Sequence, residues 1–269
     1  MLYHSDQQLV KDENSAFQMA ALSVIGDRED QQDSFGYILK QDEGLVVVCD
    51  GMGGHEGGKT ASELAVQNYL AQYAESYVIT GQTDMLIETA KKSDAMISQL
   101  RNENGDLLKA GSTLVSILIN RKKLMWCSVG DSRAYLVRKG EMVQLTQDHN
   151  YHTVLVEKAN AGLLNAEEFA KEDIRGEALI SFLGIGNLAL IDYSESPLEL
   201  QKDDKIIIMS DGLYKIVSDA EIARILDNFN NIGEAVQALE MKAKKNAKYS
   251  NESRDNMTRS GFSPGLVTS

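Results

Sequence analysis

Three apolar runs in this sequence end in an aspartate, and this pattern constrains the fold more than any other feature. The runs are residues 46–51 (VVVCDG), 127–132 (CSVGDS) and 206–212 (IIIMSDG). Each run reads as a buried strand, and the end of a strand is a rigid platform for a functional side chain. A glycine after the aspartate lets the backbone approach a ligand closely. The pattern therefore predicts buried strands that present carboxylates at their ends.

The predicted elements fall into groups of strands and groups of helices. Residues 45–49 are apolar on both faces, which predicts a central buried strand. Tight polar turns join many of the strands, which favours antiparallel pairing. Because strands and helices do not alternate one by one, the fold class is α+β. Strands are predicted at 17–25, 34–40, 45–50, 113–119, 124–129, 133–138, 142–145, 188–193 and 205–209, and helices at 60–77, 83–102, 219–226 and 232–248. Residues 149–180 are predicted to be mostly helical.

Length and composition indicate one globular domain. The 269 residues include only two prolines and contain no repeat or linker, with 43% hydrophobic residues. The formal net charge of −13 argues against nucleic acid or an anionic membrane as the main partner. Residues 1–15 carry no apolar signal core, and no run is long enough for a membrane span. Cys49 and Cys127 read as buried free thiols, which fits the cytoplasm.

The aspartates indicate a site for hard divalent cations. Besides Asp50, Asp131 and Asp211, the sequence places Asp33 and Asp255 near polar turns. Two carboxylates about 4.5 Å apart repel by roughly 4 kcal/mol at an effective dielectric near 20, so gathering several requires a cation. A single Asp-Gly pair usually marks a turn, but the recurrence at strand ends weakens that interpretation. Oxygen ligands suit Mg²⁺ or Mn²⁺. Two such ions activate water for metal-assisted hydrolysis, for which phosphate esters are natural substrates.

The order of the motifs resembles the type 2C family of metal-dependent protein phosphatases, in its bacterial branch. The matching segments run through nearly the whole chain: residues 26–34 (GDREDQQDS), 50–55 (DGMGGH), 111–113 (GST), 129–134 (VGDSRA), 145–149 (LTQDH), 210–213 (SDGL) and 255–258 (DNMT). The resemblance implies a four-layer α/β/β/α sandwich with two central antiparallel sheets. It also implies a polar lead-in over 1–16, a catalytic domain over 17–258 and an atypical C-terminal tail over 259–269.

The resemblance also implies roles for the site residues. Two ions, Mn²⁺ or Mg²⁺, would be held in the active site, with Asp50 bridging them. The remaining metal roles fall to the Gly51 carbonyl, to Asp211 with Asp255, to Asp33 through water, and to Asp131 with Asp211 for a third, weaker ion. Arg28 would grip the substrate phosphate, because its guanidinium fork matches phosphate geometry. Arg133 reads as a structural ion pair rather than a substrate contact.

Three positions or segments depart from the pattern of many relatives. Met52 stands where many eukaryotic relatives have a histidine that donates a proton to the leaving group. His55 nearby, or water, could supply that proton; His55 could equally cap the following helix. Gln32 stands where eukaryotic relatives often have a glutamate, which implies fewer charged ligands for one of the metal ions. The flap segment, residues 149–180, is acidic, which predicts either a solvated helix face or a preference for basic phosphopeptides.

The sequence after Thr258 departs from the alternating strand that relatives usually have there. Gly261, Pro264 and Gly265 lie in this segment. Two glycines and a proline weaken a strand ladder. Residues 259–269 are therefore predicted to be a mobile tail, which would leave a sheet edge open and Asp255 loosely anchored.

Taken together, these features predict a protein-serine/threonine phosphatase that is cytoplasmic and monomeric. Its substrates would be phosphorylated proteins that are targets of a Ser/Thr kinase, or a partner-switching regulator. The alternative is a pseudophosphatase, a regulatory module that binds phosphoprotein without turnover. The presence of Arg28, Asp50, Asp211 and Asp255 argues against that alternative.

Overall fold

Two antiparallel sheets lie face to face in the computed structural model, which describes residues 2–3, 7–13, 17–54, 57–75, 82–250 and 257–264. The strands are β1 (Leu2–Tyr3), β2 (Gln7–Glu13), β3 (Phe17–Val24), β4 (Asp33–Leu39), β5 (Glu43–Met52), β6 (Gly111–Ser112), β7 (Leu114–Asn120), β8 (Lys123–Val129), β9 (Arg133–Arg138), β10 (Glu141–Gln144), β11 (Asp192–Tyr193), β12 (Leu198–Glu199), β13 (Lys205–Met209) and β14 (Met257–Pro264). The helices are α1 (Gly57–Glu75), α2 (Gln82–Ile97), α3 (Tyr151–Asn160), α4 (Ala166–Glu172), α5 (Asp211–Tyr214), α6 (Asp219–Asn228) and α7 (Ile232–Ser250), with a 3-10 turn at Asp173–Arg175.

Each sheet has its own set of strands, all paired antiparallel. The first sheet has the order β1-β4-β5-β7-β8-β11, with β6 beside β5 and β12 beside β8. The second sheet has the order β10-β9-β13-β14-β3-β2. The strand predicted to be central, β5, does lie between two neighbours, and its residues alternate between the two faces of the sheet. Leu45, Val47 and Cys49 face one side, and Val46 and Val48 face the other.

Three apolar clusters separate the four layers. One cluster lies between the sheets and contains Phe17, Phe35, Val48, Ile117 and Ile206, among others. A second joins the first sheet to α1 and α2, and a third joins the second sheet to α6 and α7. These contacts confirm the predicted α+β sandwich with helices on both outer faces. Among the described residues, no helix is both long and apolar enough to cross a membrane.

The C-terminal prediction was wrong for residues 259–264. They belong to β14, which lies inside the second sheet, so the predicted open edge is filled. Ile207 of β13 pairs with Gly261, and Gly261 pairs with Ala20 of β3 on the other side. A glycine keeps the backbone N–H and carbonyl that the ladder uses, so it weakens a strand without interrupting it. Pro264 pairs only with Phe17, beyond the ladder that β13 forms, so its missing N–H interrupts nothing there. Residues 265–269 lie outside the described part of the chain.

The N-terminal prediction of a polar lead-in over 1–16 was also wrong in part. Residues 7–13 form the edge strand β2 along β3, and residues 2–3 pair with β4. Val10 belongs to the cluster between the sheets, and Leu9 packs against the outer cluster. An edge strand needs few apolar residues. The polar composition of β2 is therefore hard to distinguish from that of a solvated segment.

Two predicted boundaries also moved. The second helix ends at Ile97 rather than 102, and the predicted strand 188–193 is reduced to Asp192–Tyr193. The N–H of Leu188 donates to the Asp94 carboxylate instead of to a neighbouring strand. The two cysteines are free and buried, as predicted.

Candidate active site

A cavity of about 750 Å³ opens where several strands of the two sheets end. It is lined by Asp27, Arg28, Glu29, Asp30, Gln32, Asp50, Gly51, Met52, Gly53, Thr113, Asp131, Glu177, Leu179, Asp211 and Lys215. Seven of these side chains are carboxylates and two are basic. The structure therefore brings together Arg28 and the three strand-end aspartates that the sequence singled out.

Backbone hydrogen bonds fix the position of Asp50. Its N–H donates to Thr113 Oγ1 over 2.9 Å, and its carbonyl accepts from the Thr113 N–H over 2.8 Å. The Ser112 hydroxyl donates to the same carbonyl over 3.1 Å. Asp33 lies directly opposite on β4, as the cross-strand partner of Asp50. The backbone that carries this carboxylate is therefore held by the sheet itself.

Gly51 is required because the backbone of α1 comes very close to it. A Cβ at this position would lie 2.1 Å from the Gly58 carbonyl oxygen and 2.7 Å from that of Gln32. The Gly51 N–H donates to the Gln32 carbonyl over 3.2 Å. No other residue fits here without moving the start of α1.

Asp131 follows β8 after a glycine in the left-handed region. Gly130 has a φ of 94°, which disfavours any side chain at that position. Beside it, Thr113 Oγ1 and Ser132 Oγ are 2.7 Å apart. Burial, with a further contribution from the charge of Asp211, raises the pKa of Asp131 to about 6, and the nearby Lys215 opposes that rise. A cation near this carboxylate would favour its charged form.

Asp211 stands at the first residue of α5, directly after β13. Its Oδ2 lies 2.9 Å from Lys215 Nζ, whereas its Oδ1 is buried and has no hydrogen-bond partner among the described residues. The preceding residue, Ser210, donates its hydroxyl to Asp33 Oδ2 over 2.8 Å. Asp33 is buried beneath the cavity rather than lining it, which suits a role behind the ligands more than direct contact with substrate.

The donor set of the cavity fits hard divalent cations. The predicted ligands that line it offer carboxylate and carbonyl oxygens, and the buried Oδ1 of Asp211 is the kind of group that an ion would satisfy. Among the residues that the structure describes, no group of three or more His, Cys, Asp or Glu side chains is arranged to hold an ion alone. Oxygens of the backbone, of water and of the predicted ligand Asp255 would complete the coordination. Two predicted participants, Asp255 and His55, lie outside the described residues.

Arg133 forms an ion pair, as predicted. Its Nε and Nη2 donate to Asp148, the shortest distance being 2.7 Å, and its Nη1 donates to the Tyr135 hydroxyl over 3.0 Å. The guanidinium also stacks 3.7 Å from the ring centroid of Tyr214. The next residue after Asp148, His149, accepts a hydrogen bond at Nδ1 from the Gly130 N–H, and burial lowers its pKa. The motif at 145–149 therefore supports the loop that carries Asp131.

The flap segment is mostly helical, as predicted, and most of its acidic side chains have local partners. Glu167 pairs with Lys171, and Glu172 accepts from the Tyr151 hydroxyl. Asp173 pairs with His152. These pairings favour the solvated-face interpretation of the flap over a docking site for basic peptides. Glu177 differs, because it lines the cavity and lies 2.9 Å from Lys215.

Sequence reasoning missed the part that Lys215 plays in the site. Lys215 follows Asp211 by four residues, which is the spacing of a helical ion pair, and this was the one signal that could have indicated it. Thr113 and Gln32 were noted within motifs, but their hydrogen bonds to the backbone around Asp50 were not predicted.

Comparison with known proteins agrees with this site. A family model described as Protein phosphatase 2C matches residues 23–247. The serine/threonine phosphatase Stp of Listeria innocua is 31% identical over 224 residues, covering 80% of this chain and 85% of that protein. The structure of the S. agalactiae serine/threonine phosphatase superposes with a TM-score of 0.79 at 26% identity, covering 92% of this chain and 99% of that one.

A further solved structure carries metal. It is the catalytic domain of the serine/threonine protein phosphatase PstP in complex with two manganese ions, with a TM-score of 0.72 at 25% identity, covering 93% of this chain and 98% of that one. The fold and the cavity of strand-end aspartates define a phosphatase of the sandwich type. The chain belongs to the protein phosphatase 2C family, which confirms the resemblance seen in its motifs.

Proposed function

We propose that this chain is a metal-dependent phosphatase that removes phosphate from phosphoserine and phosphothreonine in proteins. One observation carries the proposal: Asp50, Asp131 and Asp211 end separate strands yet line one cavity with Arg28, in a chain of this family. The proposal is strengthened by relatives of similar length that are named serine/threonine phosphatases.

The residues that would hold two Mn²⁺ or Mg²⁺ ions are Asp50, the Gly51 carbonyl, Asp211 and Asp255, with Asp33 acting through water. When bound, such ions activate water for attack and neutralise charge that develops on the phosphate. Thr113 fixes the backbone of Asp50 through hydrogen bonds to both its N–H and its carbonyl. The Ser210 hydroxyl orients the Asp33 carboxylate.

Arg28 would bind the phosphate of the substrate at the rim of the cavity. A guanidinium can donate two parallel hydrogen bonds to phosphate oxygens. The leaving hydroxyl then needs a proton. Met52, which lines the cavity, has none to give. His55 or water would supply it.

The experiment that tests the proposal measures turnover of an aryl phosphate and of a phosphopeptide panel, with and without Mn²⁺. We expect activity that requires the ion and vanishes in EDTA. Asp50→Ala and Asp211→Ala should each lower kcat by at least about a hundredfold, because water is no longer activated. Asp106→Ala, an exposed carboxylate outside the cavity, is the control and should keep full activity.

Activity that survives EDTA would defeat the proposed mechanism. Tight phosphopeptide binding without turnover, at saturating Mn²⁺, would instead establish the pseudophosphatase alternative.

The proposal extends to partners and location. The substrates would be targets of a Ser/Thr kinase, and the enzyme would act as a monomer in the cytoplasm. The net charge of −13 disfavours nucleic acid or an anionic membrane as the main partner, and the two buried free thiols suit a reducing compartment. Light scattering during size-exclusion chromatography tests the monomer, and a mass corresponding to a dimer would contradict it.

A further inference from the structure

Among the described residues that line the cavity, Lys215 is one of two basic side chains beside seven carboxylates. It lies one helical turn after Asp211, and its ammonium group is 2.9 Å from Asp211 Oδ2. The lysine side chain is only 37% exposed and that of Asp211 only 17%, so solvent screens this pair less than a surface pair. Two carboxylates, those of Asp211 and Glu177, hold the ammonium group in the cavity.

The two oxygens of Asp211 have different environments. Oδ1 is buried and has no hydrogen-bond partner among the described residues, so it is the oxygen left for a metal ion. Oδ2 already has a cationic partner in Lys215. Asp131 lines the same cavity as Asp211 and Lys215. Lys215 thus provides positive charge to the two carboxylates that a third, weaker ion would share.

We propose that the Lys215 ammonium takes the place of a third divalent cation between Asp131 and Asp211, so that this enzyme binds two ions and no more. The inference rests on the proposed metal-dependent function. A dication placed beside Asp211 Oδ2 would be repelled by the ammonium and would have to displace it. The lysine also contacts the flap segment, because its Nζ lies 2.9 Å from Glu177 Oε2.

The test is the stoichiometry of Mn²⁺ binding, measured by equilibrium dialysis and isothermal titration from micromolar to millimolar metal. The wild-type protein should bind two ions. Lys215→Met should bind one additional ion, and the double variant with Asp131→Asn should lose it. Lys215→Arg keeps the charge and should bind two. Lys244→Met is the matched control, because Lys244 pairs with Glu240 at the same spacing and a similar exposure but does not line the cavity.

Three results would overturn the inference. A third ion in the wild-type protein that Asp131→Asn removes would show that Lys215 does not fill the position. An unchanged count of two in a folded Lys215→Met variant would show the same, and the wild-type comparison stands even where that variant fails to fold. No bound ion at all in the wild-type protein would reject the metal-dependent function itself, which separates the two failures.

Discussion

Arg28 is exposed at the rim of a cavity that is otherwise strongly acidic. If Arg28 binds the substrate phosphate, Arg28→Ala should lower kcat/KM. The lost transition-state stabilisation should be about 1.5–3 kcal/mol, the scale of a charge-assisted hydrogen bond. Arg28→Lys should recover only part of the loss, since an ammonium cannot donate two parallel bonds. Steady-state kinetics on a phosphopeptide measure both effects.

Calorimetric Mn²⁺ titration separates this role from metal binding, because Arg28→Ala should leave the affinity for the ion nearly unchanged. Arg121→Ala is a suitable control, since Arg121 pairs with Asp42 on the surface away from the cavity. Weakened metal binding with normal substrate kinetics would assign Arg28 a structural role instead.

The aspartates of the site could be predicted because each ends an apolar run, and a run is visible along the sequence. Asp50, Asp131 and Asp211 were brought together as that pattern implied. Lys215 could not be recognised in the same way. A single lysine after a short helix has no pattern of its own, and its importance depends on Asp211 one turn earlier and on Glu177, which is distant in the sequence.

At the scale of elements, one buried carboxylate joins α2 to the loop that follows the flap segment. Asp94 accepts from the N–H groups of Gly184 and Gly186 at Oδ1, over 2.8 and 3.0 Å, and from Leu188 at Oδ2 over 3.2 Å. The adjacent Leu183 exchanges two backbone hydrogen bonds with Ser112, whose hydroxyl donates to the Asp50 carbonyl. The segment from Leu183 to Leu188 is therefore anchored between α2 and the active site.

Asp94→Ala should lower the free energy of unfolding by about 1.5–3 kcal/mol, because three backbone N–H groups lose a charged acceptor. Hydrogen exchange should accelerate at residues 184, 186 and 188. Asp84→Ala, an acidic residue in the first turn of the same helix, serves as the control and should change little. Unchanged exchange in this segment would contradict the anchoring role.

The last described strand offers a second test at this scale. Amides 258–262 of β14 should exchange much more slowly than those of the edge strand β10, because β14 is paired on both sides. Hydrogen exchange followed by mass spectrometry measures both segments in one sample. Equal, fast exchange in the two strands would show that β14 does not form stably in solution.

Sequence patterns identified the buried strands well and the unusual strands poorly. Runs such as residues 45–49 are apolar on both faces and could be assigned from the residues alone. Residues 257–264 contain a glycine, polar side chains and a proline, and they form a strand because β3 and β13 supply the hydrogen-bonding edges. Tertiary context overrides local preference at such positions.

At the scale of the whole molecule, the cluster between the sheets should decide stability. Phe35 is fully buried in that cluster, so Phe35→Ala should lower the free energy of unfolding by about 3–5 kcal/mol. Trp126 is the only tryptophan and packs against the same cluster, which makes its fluorescence a local reporter. Urea unfolding followed by fluorescence and by far-UV circular dichroism should give one shared transition.

Phe169→Ala provides the comparison, because Phe169 lies on the flap and contacts the edge of His152 rather than the core. Phe169→Ala should lower the free energy of unfolding much less than Phe35→Ala does. Two separate transitions in the wild-type protein would mean that the sheets unfold independently.

The order of the second sheet also has a consequence for how the protein is made. Phe17 pairs with Pro264 and Val24 with Met257. The adjacent strands β3 and β14 are therefore far apart along the chain and are synthesised at different times. On the ribosome, β3 emerges early and β13 much later, and both must wait for residues 257–264 before the gap between them is filled. Both waiting strands are apolar and expose unpaired edges during that interval. Nascent chains that stall before this point should therefore need chaperones more than the finished protein does.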